Sequence, residues 1–261
     1  MILAIDVGNT RTTIGVLDDT DVVFAWHTRT ERHSTSDEFA IFLMNLLKLN
    51  QVEPETIEGG ILSTVVPAMK ATISSAVAKV TGQKIMVVGP GVKNGLKIRI
   101  DNPAQLGSRS VANAVAAAAE YDMPAIIFDI STAITISVLD ESGSYRGGMI
   151  TPGPQISLDA LIQRTSQLPQ ISLNDKPGRL IGTNTEDCMR SGLVYGYASM
   201  IDGLVRRIRK DRGTEHSVII TGASAGFVRP YCEEPLTVDE DLMLKGLRII
   251  YNKNKKGDPR A

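Results

Sequence analysis

Cysteine and histidine are scarce in this chain, with 2 and 3 among 261 residues. Cys188 and Cys232 lie far apart, and His27, His33 and His216 form no ligand spacing with them, so neither a disulfide framework nor a structural metal is expected. Charge of one sign is also lacking. Twenty-eight basic residues against 29 acidic ones leave a formal net charge of -1, which excludes a global field for nucleic acid or anionic membrane. No apolar run approaches the roughly 20 residues of a membrane span. The start, Met1-Ile-Leu-Ala-Ile-Asp6, meets an acid too early to read as a signal peptide, and a cytoplasmic location is expected.

What is present is an ordinary globular composition, 43% hydrophobic and 22% charged, long enough for one large or two modest cores. Residues 2–5 and 14–17 read as strands around a polar turn, a hairpin. Apolar spacing predicts a helix over 37–49 capped by Ser36 or Asp37, and Gly60 to Val66 reads as a buried strand stopped by Pro67. The alanine-rich stretch Ser110 to Tyr121 reads as a close-packed helix. Strands follow at 125–130, 135–139 and 217–221, with long helices between. The class is α/β.

The most informative pattern is an internal echo. Asp6-Val-Gly-Asn-Thr-Arg-Thr12 lies over Asp129-Ile-Ser-Thr-Ala-Ile-Thr135, each preceded by an apolar strand and followed by another that ends in Val-Leu-Asp. Two such copies at matching positions outweigh simple turn chemistry. Strand, Asp, small residue and Thr repeated once per half is the layout of duplicated actin-like (ribonuclease H-like) domains facing a nucleotide cleft. The expected domains are 1–122 and 123–261, with Asp6 and Asp129 at opposing hairpin tips, their carboxylates within about 10 Å.

A phosphoryl-transfer site needs backbone N–H groups, small residues and one or two carboxylates. Gly8 lets backbone approach phosphate, Asn9 and Thr10 supply neutral donors, Arg11 brings positive charge, and Asp6 is placed to orient magnesium through water. Val218-Ile-Ile-Thr-Gly-Ala-Ser-Ala225 suits close approach of an adenosine, although Thr221 and Gly222 alone would read as an ordinary strand end.

These residues belong to a longer series. Asp6-Val-Gly-Asn-Thr10, Ser63-Thr-Val-Val-Pro67, Asp101-Asn-Pro103, Asn113-Ala-Val-Ala-Ala117, Gly147-Gly-x-Ile-x-Pro-Gly153, Gln167-Leu-Pro169, Ile181-Gly-x-Asn-Thr185, Ser191-Gly192, Thr221-Gly222 and Leu244-x-Gly-Leu247 follow one another along nearly the whole chain. In that order they resemble type III pantothenate kinase. The resemblance implies ATP-dependent phosphorylation of pantothenate in coenzyme A biosynthesis by a dimer that uses Mg2+ and a monovalent cation, K+ or NH4+. It makes Asp6, Val7, Gly8, Asn9, Thr10, Arg11 and Thr12 the first phosphate-binding turn and Asp129 the monovalent-cation ligand. Thr132 would contact ATP, Gly107 lies in the pantothenate loop, and Thr185 would reach pantothenate in the opposite subunit.

Departures from the family cluster in the substrate loop. Where the family has Tyr-Asp-Asn-Pro and then Gly-Ala-Asp-Arg, this chain has Ile100-Asp-Asn-Pro103 and Gly107-Ser108-Arg109-Ser110. Arg109 stands at the position of the family's general base, and a guanidinium does not accept a proton at neutral pH. Asp101 is the alternative base, with a turn-forming role as its plainer reading. Ser131 and Ile134 replace Gly and Thr in the second turn, and Ala223 replaces a second Gly.

Three functions are therefore expected in turn. The first is a pantothenate kinase impaired as a homodimer. The second is a non-catalytic or regulatory partner that completes the site of an intact paralogue through Thr185. The third is a kinase for another small acidic acceptor bound by Arg109. Helices over Ser110 to Tyr121 and Glu186 to Ile208 are expected at a two-fold interface. Neither nucleic acid nor membrane is an expected partner.

Overall fold

The computed structural model describes residues 1–255. The chain falls into two units. The first takes Met1–Leu96, Asp101–Ala119 and the chain from Asp241 on; the second takes Lys97–Ile100 and Glu120–Glu240.

In the first unit, β1 (Ile2–Val7) is the central strand of a five-stranded sheet ordered β3-β2-β1-β4-β5. Every residue of β1 is buried, which is why its sequence runs apolar without alternating until the acid at its end. It pairs antiparallel with β2 (Arg11–Leu17) and parallel with β4 (Gly59–Thr64). The outer strands are β3 (Val22–Arg29), antiparallel to β2, and β5 (Ile85–Val87), parallel to β4. Helices α1 (Ser36–Leu49) and α2 (Met69–Thr81) cover the sheet. Leu43, Leu47, Ile73 and Val77 join Leu3, Ile5, Ile14 and Val16 in one core. The cap of α1 is Thr35, not Ser36 or Asp37. Its side chain accepts from the Glu38 N–H, and the Glu38 carboxylate accepts from the Thr35 N–H, a reciprocal box that ties down two of the helix's unpaired amides.

Two further helices belong to this unit. Helix α3 (Ser108–Glu120) carries the alanine-rich stretch and buries all seven residues from Val111 to Ala117 within the single chain. Within this helix only Ala118, Ala119 and Glu120 at its end are exposed. The C-terminal helix, numbered α7 below (Leu242–Asn254), packs here although it follows the second unit in the chain. Its Gly246 lies against α3, where a Cβ would come within 1.9 Å of the Ala112 carbonyl oxygen. Only glycine allows that approach.

The second unit repeats the sheet. Strands β6 (Ala125–Ile130), β7 (Ala133–Leu139), β8 (Tyr145–Pro152), β9 (Ser217–Thr221) and β10 (Thr237–Val238) are ordered β10-β9-β6-β7-β8. β6 pairs antiparallel with β7 and parallel with β9, as β1 does with β2 and β4. The duplication read from the sequence is thus a duplication of strand order and direction. Helix α4 (Pro154–Gln163) follows β8, and α5 (Thr185–Arg212) precedes β9. Ala198, Ile201 and Val205 of α5 pack on Ile126, Phe128 and Ile220 of the sheet. The short α6 (Ala225–Val228) closes the unit before β10 and α7.

Strands β3 and β8 were not expected from the sequence. Both are edge strands: β3 opens with the apolar run Val22-Val-Phe-Ala-Trp26, a strand signal that was passed over, whereas β8 contains Gly147 and Gly148 and is mostly exposed or half-buried beyond Tyr145.

Candidate functional site

Each unit brings a carboxylate to the end of its central strand, and each surrounds it differently. In the first, Asp6 is buried, with 2% of its surface exposed. Parallel pairing of β1 and β4 sets Ser63 opposite Asp6, and the Ser63 hydroxyl donates to Asp6 Oδ1 at 2.7 Å. Ser63 also shares a 2.9 Å hydrogen bond with the hydroxyl of Ser108. That bond docks the first turn of α3 on the ends of β1 and β4. The next residue, Arg109, places its guanidinium 2.5 Å from Asp6 Oδ2. A buried carboxylate needs such a counter-charge, because desolvation otherwise opposes ionisation. Asp6, Ser63, Ser108 and Arg109 therefore form one cluster.

The turn after Asp6 has the expected shape. The Gly8 N–H donates to the Arg11 carbonyl at 2.9 Å, and a Cβ on Gly8 would sit 3.0 Å from the same oxygen. Asn9 and Thr10 are exposed at its tip, and Gly8 and Arg11 are half-buried. Val7 and Thr12 face inward. Thr12 shares a 3.0 Å hydrogen bond with Thr30, whose hydroxyl is also 2.9 Å from the Gly8 carbonyl oxygen. Arg32 donates to the side-chain oxygen of Asn9 at 3.1 Å. Thr30 and Arg32 were missed because β3, which delivers them, was missed. Their signal was the apolar run Val22-Val-Phe-Ala-Trp26 followed by the polar run His27 to Arg32.

In the second unit the turn is one residue shorter, with two residues between β6 and β7 where three separate β1 from β2. Asp129 is 3% exposed. Ser131 donates to its Oδ1 at 2.6 Å. Thr221 lies opposite Asp129 on β9, as Ser63 lies opposite Asp6, and is buried. Gly222 follows with φ of +95°, and a Cβ there would fall 2.6 Å from both Asp129 Oδ1 and the Ile130 carbonyl oxygen. Thr132, also expected to face nucleotide, gives its carbonyl to the Gly153 N–H at 3.0 Å. Gly153 itself has no space for a side chain, since a Cβ would lie 2.1 Å from the Ser131 carbonyl oxygen.

The remaining expected residues sit in four places. Ile100 ends the short segment assigned to the second unit, in which the Arg99 N–H donates to Tyr145. Asp101 and Gly107 are exposed and flank a short helical turn at Pro103–Gln105, capped by the Asn102 side chain. Ser110 is half-buried in the first turn of α3. Thr185 opens α5 and is exposed. That end of α5 is well built. Asn184 caps the Asp187 N–H at 2.9 Å, Arg190 pairs with Glu186, Asp187 and Asp175, and Ser191 donates to the Leu180 carbonyl. Gly182 presses on the helix so closely that a Cβ would lie 2.4 Å from the Cys188 nitrogen.

Could the two carboxylates hold cations? The neighbours of Asp129 include the Ser131 hydroxyl and the backbone around Gly222, oxygen donors of a kind that suits a weakly demanding monovalent ion. At Asp6 one oxygen takes a serine hydroxyl and the other a guanidinium. A divalent ion bound there would have to share that oxygen with a fixed positive charge, and the donor set does not fit it.

Comparison with known proteins gives the family. A family model for type III pantothenate kinase matches residues 2–207. A type III pantothenate kinase of Halalkalibacterium halodurans is 42% identical over 97% of this chain and all of its own length. One from Exiguobacterium sp. is 42% identical over 98% of this chain and, again, its full length. Among solved structures, component A of (R)-2-hydroxyglutaryl-CoA dehydratase from Acidaminococcus fermentans aligns with TM-score 0.57 at 15% identity, covering 96% of each chain. The ethanolamine utilization protein EutJ of Carboxydothermus hydrogenoformans aligns with TM-score 0.51 at 15% identity, covering 95% of this chain and 88% of its own. Those structural likenesses bear on the duplicated actin-like fold alone. The family-model match and the two full-length relatives establish that this chain belongs to the type III pantothenate kinase family.

Proposed function

We propose that this chain carries the nucleotide-binding and assembly features of a pantothenate kinase of coenzyme A biosynthesis, and that its own acceptor half-site is impaired. The observation that supports this is the ion pair between Arg109 and Asp6. At the family's base position stands a side chain with donors only, and its charge is committed to a buried carboxylate. Loss of a general base removes about 10²–10⁴-fold of rate. Phosphoryl transfer depends mainly on positioning and charge neutralisation, so residual turnover is compatible with this reading. Asp129 would hold the monovalent cation, and ATP would lie along the Gly8 to Arg11 turn.

A coupled assay of ADP release by the purified chain tests the proposal. Expected turnover of pantothenate is weak or absent. Arg109→Asp alone should rescue little, whereas Ile100→Tyr, Arg109→Asp and Ser110→Arg together should restore measurable activity. Brisk turnover by the unaltered chain would overturn the reading, and Asp101 would be the first alternative base to remove.

The braced, exposed start of α5 favours a second role, as a partner that lends Thr185 to an intact relative. Mixing the chain with such a relative should raise activity, and Thr185→Ala in this chain should abolish the gain. An unchanged gain with Thr185→Ala would exclude it.

A further inference from the structure

The unassigned feature with the most chemistry is the cation supplied by the chain itself at Asp6. We propose that Arg109 takes the place of a divalent cation on this carboxylate, so that the chain binds nucleoside triphosphate free of metal at least as tightly as its magnesium complex. This rests on the reading of the Gly8 to Arg11 turn as the phosphate turn.

The argument begins with Asp6. Its carboxylate is buried, Oδ1 accepts from Ser63, and Oδ2 lies 2.5 Å from the Arg109 guanidinium. A cation is therefore already in contact with the oxygen that a hydrated divalent ion would use. Arg109 is fixed in that position by its neighbours. Ser108 bonds to Ser63, and the Gly107 carbonyl accepts from the Val111 N–H at 3.0 Å, so α3 starts with its first turn against the strand ends. Arginine keeps its charge at every physiological pH, and its N–H groups suit phosphate oxygens as well as carboxylate. Its side chain keeps 28% of its surface exposed, so the pair is not sealed from solvent and solutes. A bare triphosphate arriving at the turn meets an Asp6 carboxylate whose charge Arg109 already neutralises, so it needs no metal to mask that charge. A magnesium triphosphate brings a second cation, whose attraction for Asp6 is offset by Arg109.

The test is a displacement titration of mant-ATP by ATP, carried out on the intact chain in EDTA and again in Mg2+. The expected result is a Kd in EDTA equal to or lower than that in Mg2+, with Arg109→Lys, which preserves the charge, behaving alike. In Arg109→Ala the preference should reverse, with binding about tenfold weaker in EDTA than in Mg2+. Mg2+ alone should raise the melting temperature of Arg109→Ala and leave that of the unaltered chain in place. Should Arg109→Ala fail to fold, the unaltered chain and Arg109→Lys decide the matter.

Binding by the unaltered chain that weakens about tenfold in EDTA would overturn the inference, as would failure to bind ATP in either buffer. The proposed function fails separately. Magnesium-dependent binding without pantothenate turnover leaves that function standing, and brisk turnover with metal-free binding overturns it alone.

Discussion

In the first unit the carboxylate at the tip of the central strand meets a guanidinium from helix α3. In the second, the corresponding Asp129 meets a hydroxyl of its own turn and the backbone of a glycine held at positive φ. The strand frame is the same in both. What differs is where the compensation comes from: a residue about a hundred positions along the chain for Asp6, and one two positions away for Asp129. A carboxylate matched by a long-range charge is tied to tertiary packing, whereas one matched locally keeps its environment as long as its turn is intact.

The largest way to break this contrast is Arg109→Ala. Removing one member of a buried pair leaves the other desolvated and uncompensated, and urea unfolding should register a loss of about 3 kcal/mol. A loss below about 1 kcal/mol would mean that Asp6 is satisfied without the guanidinium. Gly222→Ala attacks the second tip. Positive φ together with a Cβ placed on Asp129 and Ile130 should lower stability by about 2 kcal/mol in the same measurement. Ser131→Ala is milder. It deletes a hydrogen bond to Asp129 and should cost about 1.5 kcal/mol.

The smallest effect is the sharpest diagnostic. Burial, and next the charge of Asp202, push the Cys232 thiol up to about 11, whereas Cys188 is exposed. Because the thiolate is the reactive form, a disulfide reagent at pH 8 should modify Cys188 quickly and Cys232 slowly, the latter accelerating as pH rises toward 11. Cys232 packs on the core of the second unit. Gly222→Ala should hasten its modification, and Arg109→Ala should leave it unchanged. Equal acceleration by both would show that the two tips are not independent.

How far the sequence alone reached follows from the same physics. β1 and β6 were legible because strands buried on both faces read as unbroken apolar runs, and their terminal acids stand out against that background. Of the edge strands, β8 was not, since its two glycines and exposed positions dilute the pattern, whereas β3 carried a readable apolar run, Val22 to Trp26, that was passed over. At the site, Asp6, the Gly8 turn and Asp129 were named from the internal echo, and Gly222 from the family resemblance. The meeting of Asp6 with Arg109 was not, because nothing local links two residues brought together only by the seating of α3 on β1 and β4. Arg109 was recognised as a missing base and not as a partner for a buried acid. The alanine-rich run of α3 shows the same limit, since small residues permit close approach without specifying what approaches within the chain. Here it is α7, through Gly246.

Helix α7 lies beyond the whole of the second unit in the chain, yet it packs against β1 and β4 and sets Leu244 on Gly15. During synthesis the residues from Glu120 to Glu240 emerge as an almost unbroken stretch that can fold as it appears, whereas the part made first must wait for the part made last. A nascent chain halted before residue 242 would display the α3 surface that Gly246 normally seals, together with the sheet face beneath the missing helix. Quality control by chaperones and proteases would then act on the amino-terminal portion, even though the missing residues are those nearest the other end.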